Sequence, residues 1–308
     1  MHEIENGART NLLDLPEELE TALAEVGTSL PDWEMNGTFL SGRTIQQYRA
    51  ALDAAPEFRG LKNAAMSALS SEGGGYAVVR LGGIAQALGV EGEPFLRLVT
   101  AILAHVAIPF QPFLRWPLWK ALGTNLDAKP GMSTGIGHNA WHIDLVNATQ
   151  PPDYSVLLCV RPDPLGAGES IVSDARAAVS RLSESVRALL ADQEYRYGSF
   201  YGLSDVGEEF TPFPILDGER DDKGFVRFTA KMLADGEFSK AHTFAAQELA
   251  DELSAGQVAF TLQRGDLLIV NQHQVVHGRL PLADGQESVP AGDRRLLQQL
   301  FLRSPQQV

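Results

Sequence analysis

The first third of the chain carries its apolar residues at helical spacing. Phe95, Leu96, Leu98, Val99, Ile102 and Leu103 recur on one face over 93–108, so a helix is expected there. Pro16-Glu17-Glu18 opens another helix, with proline and acids in its first turn, and Gly27 is expected to close it. Residues 44–54 and 61–69 read as two more. Three glycines in 70–75 mark a turn, and 76–81 then reads as a strand. His105 falls inside the helical pattern and reads as a packed core histidine. After Pro109 the period changes. Short β-like runs at 141–145, 154–160, 169–172, 225–228, 258–262, 267–271 and 295–302 alternate with turn-rich loops. Helices at 174–191 and 245–253 interrupt them.

Many short strands with segregated helices predict a mainly β fold with flanking helices and a jelly-roll core, a double-stranded β-helix. No repeat or low-complexity linker divides the chain, so residues 1–308 are expected to form one domain. Its 1–110 part is mainly helical, and its 130–303 part forms the β core. Composition narrows the partners. A net charge of −14 argues against nucleic acid and anionic membranes, which need clustered Lys and Arg. No apolar run approaches the roughly 18 residues of a membrane span. Residues 1–11 are polar and lack the apolar stretch of a signal peptide. The single cysteine, Cys159, sits in an apolar run and reads as a buried thiol. These features predict a cytoplasmic protein.

One stretch carries chemistry. In Trp141-His142-Ile143-Asp144-Leu145, strand alternation would put His142 and Asp144 on the same face. Val275-Val276-His277-Gly278-Arg279 supplies a second imidazole after an apolar run. Two histidines and one carboxylate with open positions are the ligand set of non-heme Fe(II) oxygenases. His273, four residues before His277, is the competing ligand, and His-x-x-x-His on a helix would instead suggest zinc.

The ordered motifs resemble a known group. His142-Ile143-Asp144, Gly265-Asp266-Leu267-Leu268-Ile269-Val270, His277-Gly278-Arg279 and Gly292-Asp293-Arg294-Arg295 together resemble the Fe(II)/2-oxoglutarate dioxygenases of the taurine dioxygenase and clavaminate synthase-like superfamily. The likeness runs over roughly 130–303. It implies Fe(II) on His142, Asp144 and His277, with 2-oxoglutarate and O2 as cosubstrates. It implies that Arg294 pairs with the far carboxylate of 2-oxoglutarate and that Ser170 hydrogen-bonds the same group. Arg295 is the rival for the first role, because only one of two adjacent strand residues faces inward. Arg279 and Arg295 are otherwise expected at the surface or in strand pairing. Gln298 stands where some relatives carry a second arginine. Asp144 itself argues against halide transfer, since relatives that transfer halide have a small residue there.

The expected reaction is hydroxylation of an unactivated C–H bond in a small amino acid or amino-acid-derived metabolite of secondary metabolism, with release of succinate and CO2. Desaturation or ring closure is the alternative outcome. A metal-dependent hydrolase and a non-enzymatic metal- or ligand-binding jelly roll are the more distant readings. Substrate contacts are assigned to His138, Arg227 and Lys231, the last two as partners for a carboxylate. Thr229-Ala230-Lys231 replaces the aspartates that grip a basic side chain in some relatives, which disfavours a guanidinium substrate. Asp205, Glu208 and Glu209 are further acids that could take part. Phe110, Phe113, Trp116 and Trp119 read as core packing in preference to a substrate mouth.

Overall fold

The computed structural model describes residues 11–128, 131–197, 212–218, 224–235 and 238–305. Two larger sheets dominate it. The nine-stranded sheet runs in the order Leu12–Leu13, Tyr76–Arg80, Asp266–Asn271, Tyr154–Arg161, Leu296–Arg303, Ile108–Phe110, Phe39–Leu40 and Met35–Asn36, with Lys120–Gly123 also pairing Leu296–Arg303. Neighbours are antiparallel except for Leu12–Leu13 against Tyr76–Arg80. The four-stranded sheet runs Val258–Phe260, Ser170–Asp174, Val275–Arg279, Asn139–His142 and is antiparallel throughout.

Period-two alternation sorts the strand residues into three apolar layers. Leu267 and Ile269 turn outward onto the N-terminal helices, with Val156, Leu158 and Val160 beside them. Leu268 and Val270 turn inward and meet Val172 and Val275 of the small sheet. Ile171 and Val276, on the other face of the small sheet, pack against the helical residues Ala178, Leu190, Ala246 and Leu249. The inter-sheet layer is apolar at these positions. Cys159 belongs to this layer, and burial pushes its thiol up to about 12. The strand Tyr76–Arg80 places the N-terminal part directly in the large sheet, so the helix-to-strand change near residue 110 is not a boundary between sheets. No helix among the described residues is long and apolar enough to cross a membrane.

Several elements depart from the sequence expectation for physical reasons. Gly27 does not end its helix, which runs Glu17–Ser29. A Cβ on Gly27 would meet Leu88 Cδ1 at 2.8 Å, so the residue permits close helix packing. The helix stops where Leu30 is forced extended ahead of Pro31. Residues 174–191 form two helices, Ala175–Arg181 and Glu184–Leu190, because Ser183 caps the second by accepting from Val186 N at 3.3 Å. The 225–228 strand shortens to Phe225–Val226. His105 is packed as expected, with its ring centroid 4.9 Å from that of Phe58, and burial pushes its pKa down to about 4.

Gly278 is the glycine on which the site's backbone depends. A Cβ there would lie 2.6 Å from the carbonyl oxygen of Asn139 on the paired strand. The register between these strands slips between His277 and Arg279 at this point. Gly278→Ala is therefore expected to cost about 1–3 kcal/mol of stability, as overpacking does, read as a lowered urea midpoint with an unchanged slope.

Candidate metal centre

His277 and His142 are cross-strand partners in the small sheet, and their ring centroids lie 4.4 Å apart. Asp144 joins them by a different route from the one its spacing suggested. The strand ends at His142. Ile143 N then donates to Phe228 O at 2.9 Å, and Leu145 adopts a left-handed backbone with φ 55°. The turn, not strand alternation, aims the Asp144 carboxylate at the imidazoles. Its Oδ1 lies 3.9 Å from His142 Nε2, and its Oδ2 lies 3.3 Å from His277 Nε2.

The carboxylate is held from behind. Ser155 Oγ donates to Asp144 Oδ2 at 2.5 Å and Gln299 Nε2 donates to the same oxygen at 3.1 Å. Asp144 N donates to Gln272 Oε1 at 2.6 Å, and Gln272 Nε2 donates in turn to Pro152 O. Oδ1 is left facing the centre. Burial alone would raise the Asp144 pKa, but the adjacent His277, His142 and the Ser155 hydrogen bond hold it well below the usual carboxylate range. Burial, and then the charge of His277, push His142 well below its ordinary value, so its ring is neutral. Its Nδ1 donates to Ala140 O at 2.7 Å, which leaves the Nε2 lone pair directed inward.

One donor atom from each of the three residues lies within 4.8 Å of the others. Ligands about 2.1 Å from a metal at right angles to one another sit about 3 Å apart, so this set fits a cation after small side-chain shifts. Two imidazoles and a carboxylate on one side of an ion suit Fe(II) with open positions opposite. His273 is not part of the cluster. Its Nε2 is 2.6 Å from Oδ1 of Asp153, a fully buried carboxylate that also accepts from Ser304 N.

Two buried arginines lie near the strand that carries His277. Ser170 pairs across the small sheet with Arg279, and both are buried. Arg279 donates to the carbonyls of Gly135, Gly137 and Leu280, yet its Nε has no partner. Arg295 is 8% exposed, and its guanidinium makes no hydrogen bond or ion pair among the described residues. Burial pushes both arginines down to about 10, and the charge of Arg295 lowers Arg279 further. The charge of Asp163 favours both guanidiniums and offsets part of this cost, and a bound anion would offset more. Arg294, the residue expected to face the cosubstrate, turns the other way. It is half-buried and its Nε donates to Val289 O at 2.9 Å. The placement of Arg279 and Arg295 at the surface is likewise overturned.

A cavity of about 130 Å³ is lined by two of the three donors, His142 and Asp144. Phe113, Trp116, Lys120, Thr229, Lys231 and Gln299 are among its lining residues. Of the expected substrate contacts, only Lys231 is there. His138, just ahead of the strand Asn139–His142, is exposed and absent from the lining. Arg227 is spent on structure: Nε donates to Val146 O at 2.6 Å, Nη2 donates to Ala148 O at 2.8 Å, and its guanidinium covers the Phe213 ring. It shapes the cavity wall at 146–148 without touching its contents. The aromatic segment divides. Phe113 and Trp116 line the cavity, whereas Phe110 and Trp119 are buried in packing. Asp205, Glu208 and Glu209 lie outside the described residues.

Gln299 escaped the sequence reading, although it lies two positions from Leu297 on the inward face. Removing such a supporting contact typically weakens metal binding 10–100-fold. Gln299→Leu is expected to do so, measured by anaerobic Fe(II) titration, with little change in unfolding midpoint.

Comparison with known proteins accords with this geometry. A profile described as "Taurine catabolism dioxygenase TauD, TfdA family" matches residues 120–300, more than half of the chain. The L-asparagine oxygenase of Streptomyces coelicolor is 29% identical over 151 residues, covering 49% of this chain and 43% of that protein. Clavaminate synthase 2 of Streptomyces clavuligerus is 26% identical over 168 residues, covering 53% and 49%. The chain therefore matches less than half the length of either curated relative. Among solved structures, asparagine oxygenase in complex with Fe(II), 2S,3S-3-hydroxyasparagine and succinate superposes with a TM-score of 0.76 at 21% identity, covering 96% of this chain and 94% of that one. The non-heme iron oxygenase OrfP with Fe and alpha-ketoglutaric acid gives 0.71 at 18%, covering 95% and 94%. These likenesses speak for a shared fold. The match across residues 120–300, which carries all three donors and both candidate arginines, makes this chain a member of the TauD/TfdA dioxygenase family.

Proposed function

We propose that the protein is an Fe(II)- and 2-oxoglutarate-dependent oxygenase that hydroxylates a C–H bond of a small amino acid or amino-acid-derived metabolite. The observation that carries this reading is the three-donor cluster together with Arg295, a buried guanidinium without a partner among the described residues. A hydrolase using the same donors would have no use for that cation. In this reading the two sheets form a double-stranded β-helix, and the chain acts as one folding unit. The cytoplasmic location expected from its lone buried thiol belongs to the same reading.

His142, Asp144 and His277 would hold the metal. Fe(II) with 2-oxoglutarate and O2 supplies the oxidising chemistry, giving succinate and CO2 and inserting oxygen into a C–H bond. The chain supplies placement. Arg295 takes the far carboxylate of 2-oxoglutarate through two parallel N–H donors, a geometry that a planar guanidinium offers. The Ser170 hydroxyl donates to the same group from the facing strand. Ser155 and Gln299 keep Asp144 Oδ2 occupied and Oδ1 turned to the centre. Phe113 and Trp116 wall the substrate side and limit water there. A cavity of about 130 Å³ suits a molecule of amino-acid size, since one of about 150 Å³ holds benzene.

The two arginines give a sharp test. Truncating one partner of a buried charge pair costs about 2–5 kcal/mol, so Arg295→Met should weaken 2-oxoglutarate binding about 30-fold or more. Arg294→Met should change it less than about twofold. Isothermal titration of the anaerobic Fe(II) protein reads both values. A large loss in Arg294→Met with none in Arg295→Met would refute this assignment of the pocket.

A further inference from the structure

The cavity beside the metal donors has a one-sided charge. Lys120 and Lys231 both line it, and Asp144, whose charge a bound metal would compensate, is the only acid among its described lining residues. Lys231 is largely buried, and its ammonium has no hydrogen bond or ion pair among the described residues. It is near enough to Asp144 for the two charges to interact. Two residues earlier, Thr229 is 2% exposed, lines the same cavity, and has a buried hydroxyl without a partner. Lys120 approaches from the opposite strand, its ammonium 3.4 Å from the centroid of the Trp116 ring.

A buried ammonium without a counter-ion is costly, and so is a buried hydroxyl without a partner. A bound anion relieves both at once. Resting on the oxygenase reading above, we propose that the substrate is a small, net-negative carboxylate of acidic amino-acid type, with a side-chain carboxylate held by Lys231 and the Thr229 hydroxyl. Lys120 adds positive potential at the mouth, and Phe113 and Trp116 cover the short apolar stem. The same charges work against a cationic substrate, since bringing a guanidinium or a second ammonium beside Lys231 is repulsive. A neutral amide satisfies the hydroxyl but leaves the ammonium without a counter-charge.

The test titrates protein loaded anaerobically with Fe(II) and saturating 2-oxoglutarate. The probes are L-aspartate, L-glutamate, L-asparagine, L-glutamine and L-arginine, followed by calorimetry. L-Aspartate or L-glutamate is expected to bind at least tenfold more tightly than either amide, and L-arginine not measurably. Lys231→Met should abolish the preference of acid over amide. Lys231→Glu, checked for native fold by circular dichroism, should gain binding of L-arginine. Equal or tighter binding of an amide or of L-arginine by the wild type overturns the proposal. So does failure of both acids to bind, or an undiminished preference in Lys231→Met. The loading step separates the two levels of the reading. Protein that does not bind 2-oxoglutarate overturns the oxygenase reading and this inference with it. Protein that binds it without preferring acids overturns only the substrate class.

Discussion

His277 faces His142 across two antiparallel strands that approach closely because Gly278 presents no side chain to the Asn139 carbonyl. That approach fixes the two imidazoles 4.4 Å apart, and everything else in the site is arranged around the gap they share. Asp144 reaches the gap from a turn whose geometry rests on the left-handed Leu145 and on the hydrogen bond from Ile143 N to Phe228 O. A non-glycine residue in that conformation costs about 1–3 kcal/mol. Surrounding contacts, including those of Gln272, Ser155 and Gln299, hold the carboxylate where the turn delivers it. Strain of this kind is found where a side chain must be aimed more accurately than regular structure allows.

Cations cluster around the site. Arg279 is buried on the strand paired with Ser170, Arg295 is buried just ahead of the strand Leu296–Arg303, and Lys120 and Lys231 line the cavity that His142 and Asp144 also line. A chain with a net charge of −14 thus sets several buried or half-buried cations beside its donor set. In the proposed reading they gather two anionic small molecules at the metal. The average charge of the chain governs which large partners it avoids, and the local charge governs which small ones it keeps.

The sequence made the donor set legible because order and spacing of several motifs agreed, and no one of them would have been enough. Its reasoning about Asp144 was nonetheless mistaken in mechanism. Two-residue spacing suggests a shared strand face, but the strand ends at His142 and a turn does the aiming. The choice between Arg294 and Arg295 is hard to read from sequence for a related cause. Alternation says that one of two neighbours faces inward, but not which. The pairing of Leu296–Arg303 with Tyr154–Arg161 slips between Leu296 and Leu297, so counting along the strand gives no reliable phase. Arg227 reads from sequence as a partner for a substrate carboxylate because it is a cation on a strand at the position where some relatives grip their substrate, and only its bonds to the Val146 and Ala148 carbonyls reveal its use. Phe113, Trp116 and Lys120 come from a stretch with no periodicity, where sequence offers no way to tell a cavity wall from a core.

The central claim is that one space between the sheets binds Fe(II) and 2-oxoglutarate together. Anaerobic titration of the protein with Fe(II) and then 2-oxoglutarate tests it most directly, by the weak visible charge-transfer absorption that chelation of the ion by a 2-oxo acid produces. The account predicts that the band appears only when both are present, saturates at one equivalent of each per chain, and is lost in His142→Ala but kept in His273→Ala. Absence of the band in the wild-type protein, or its persistence in His142→Ala, would contradict it.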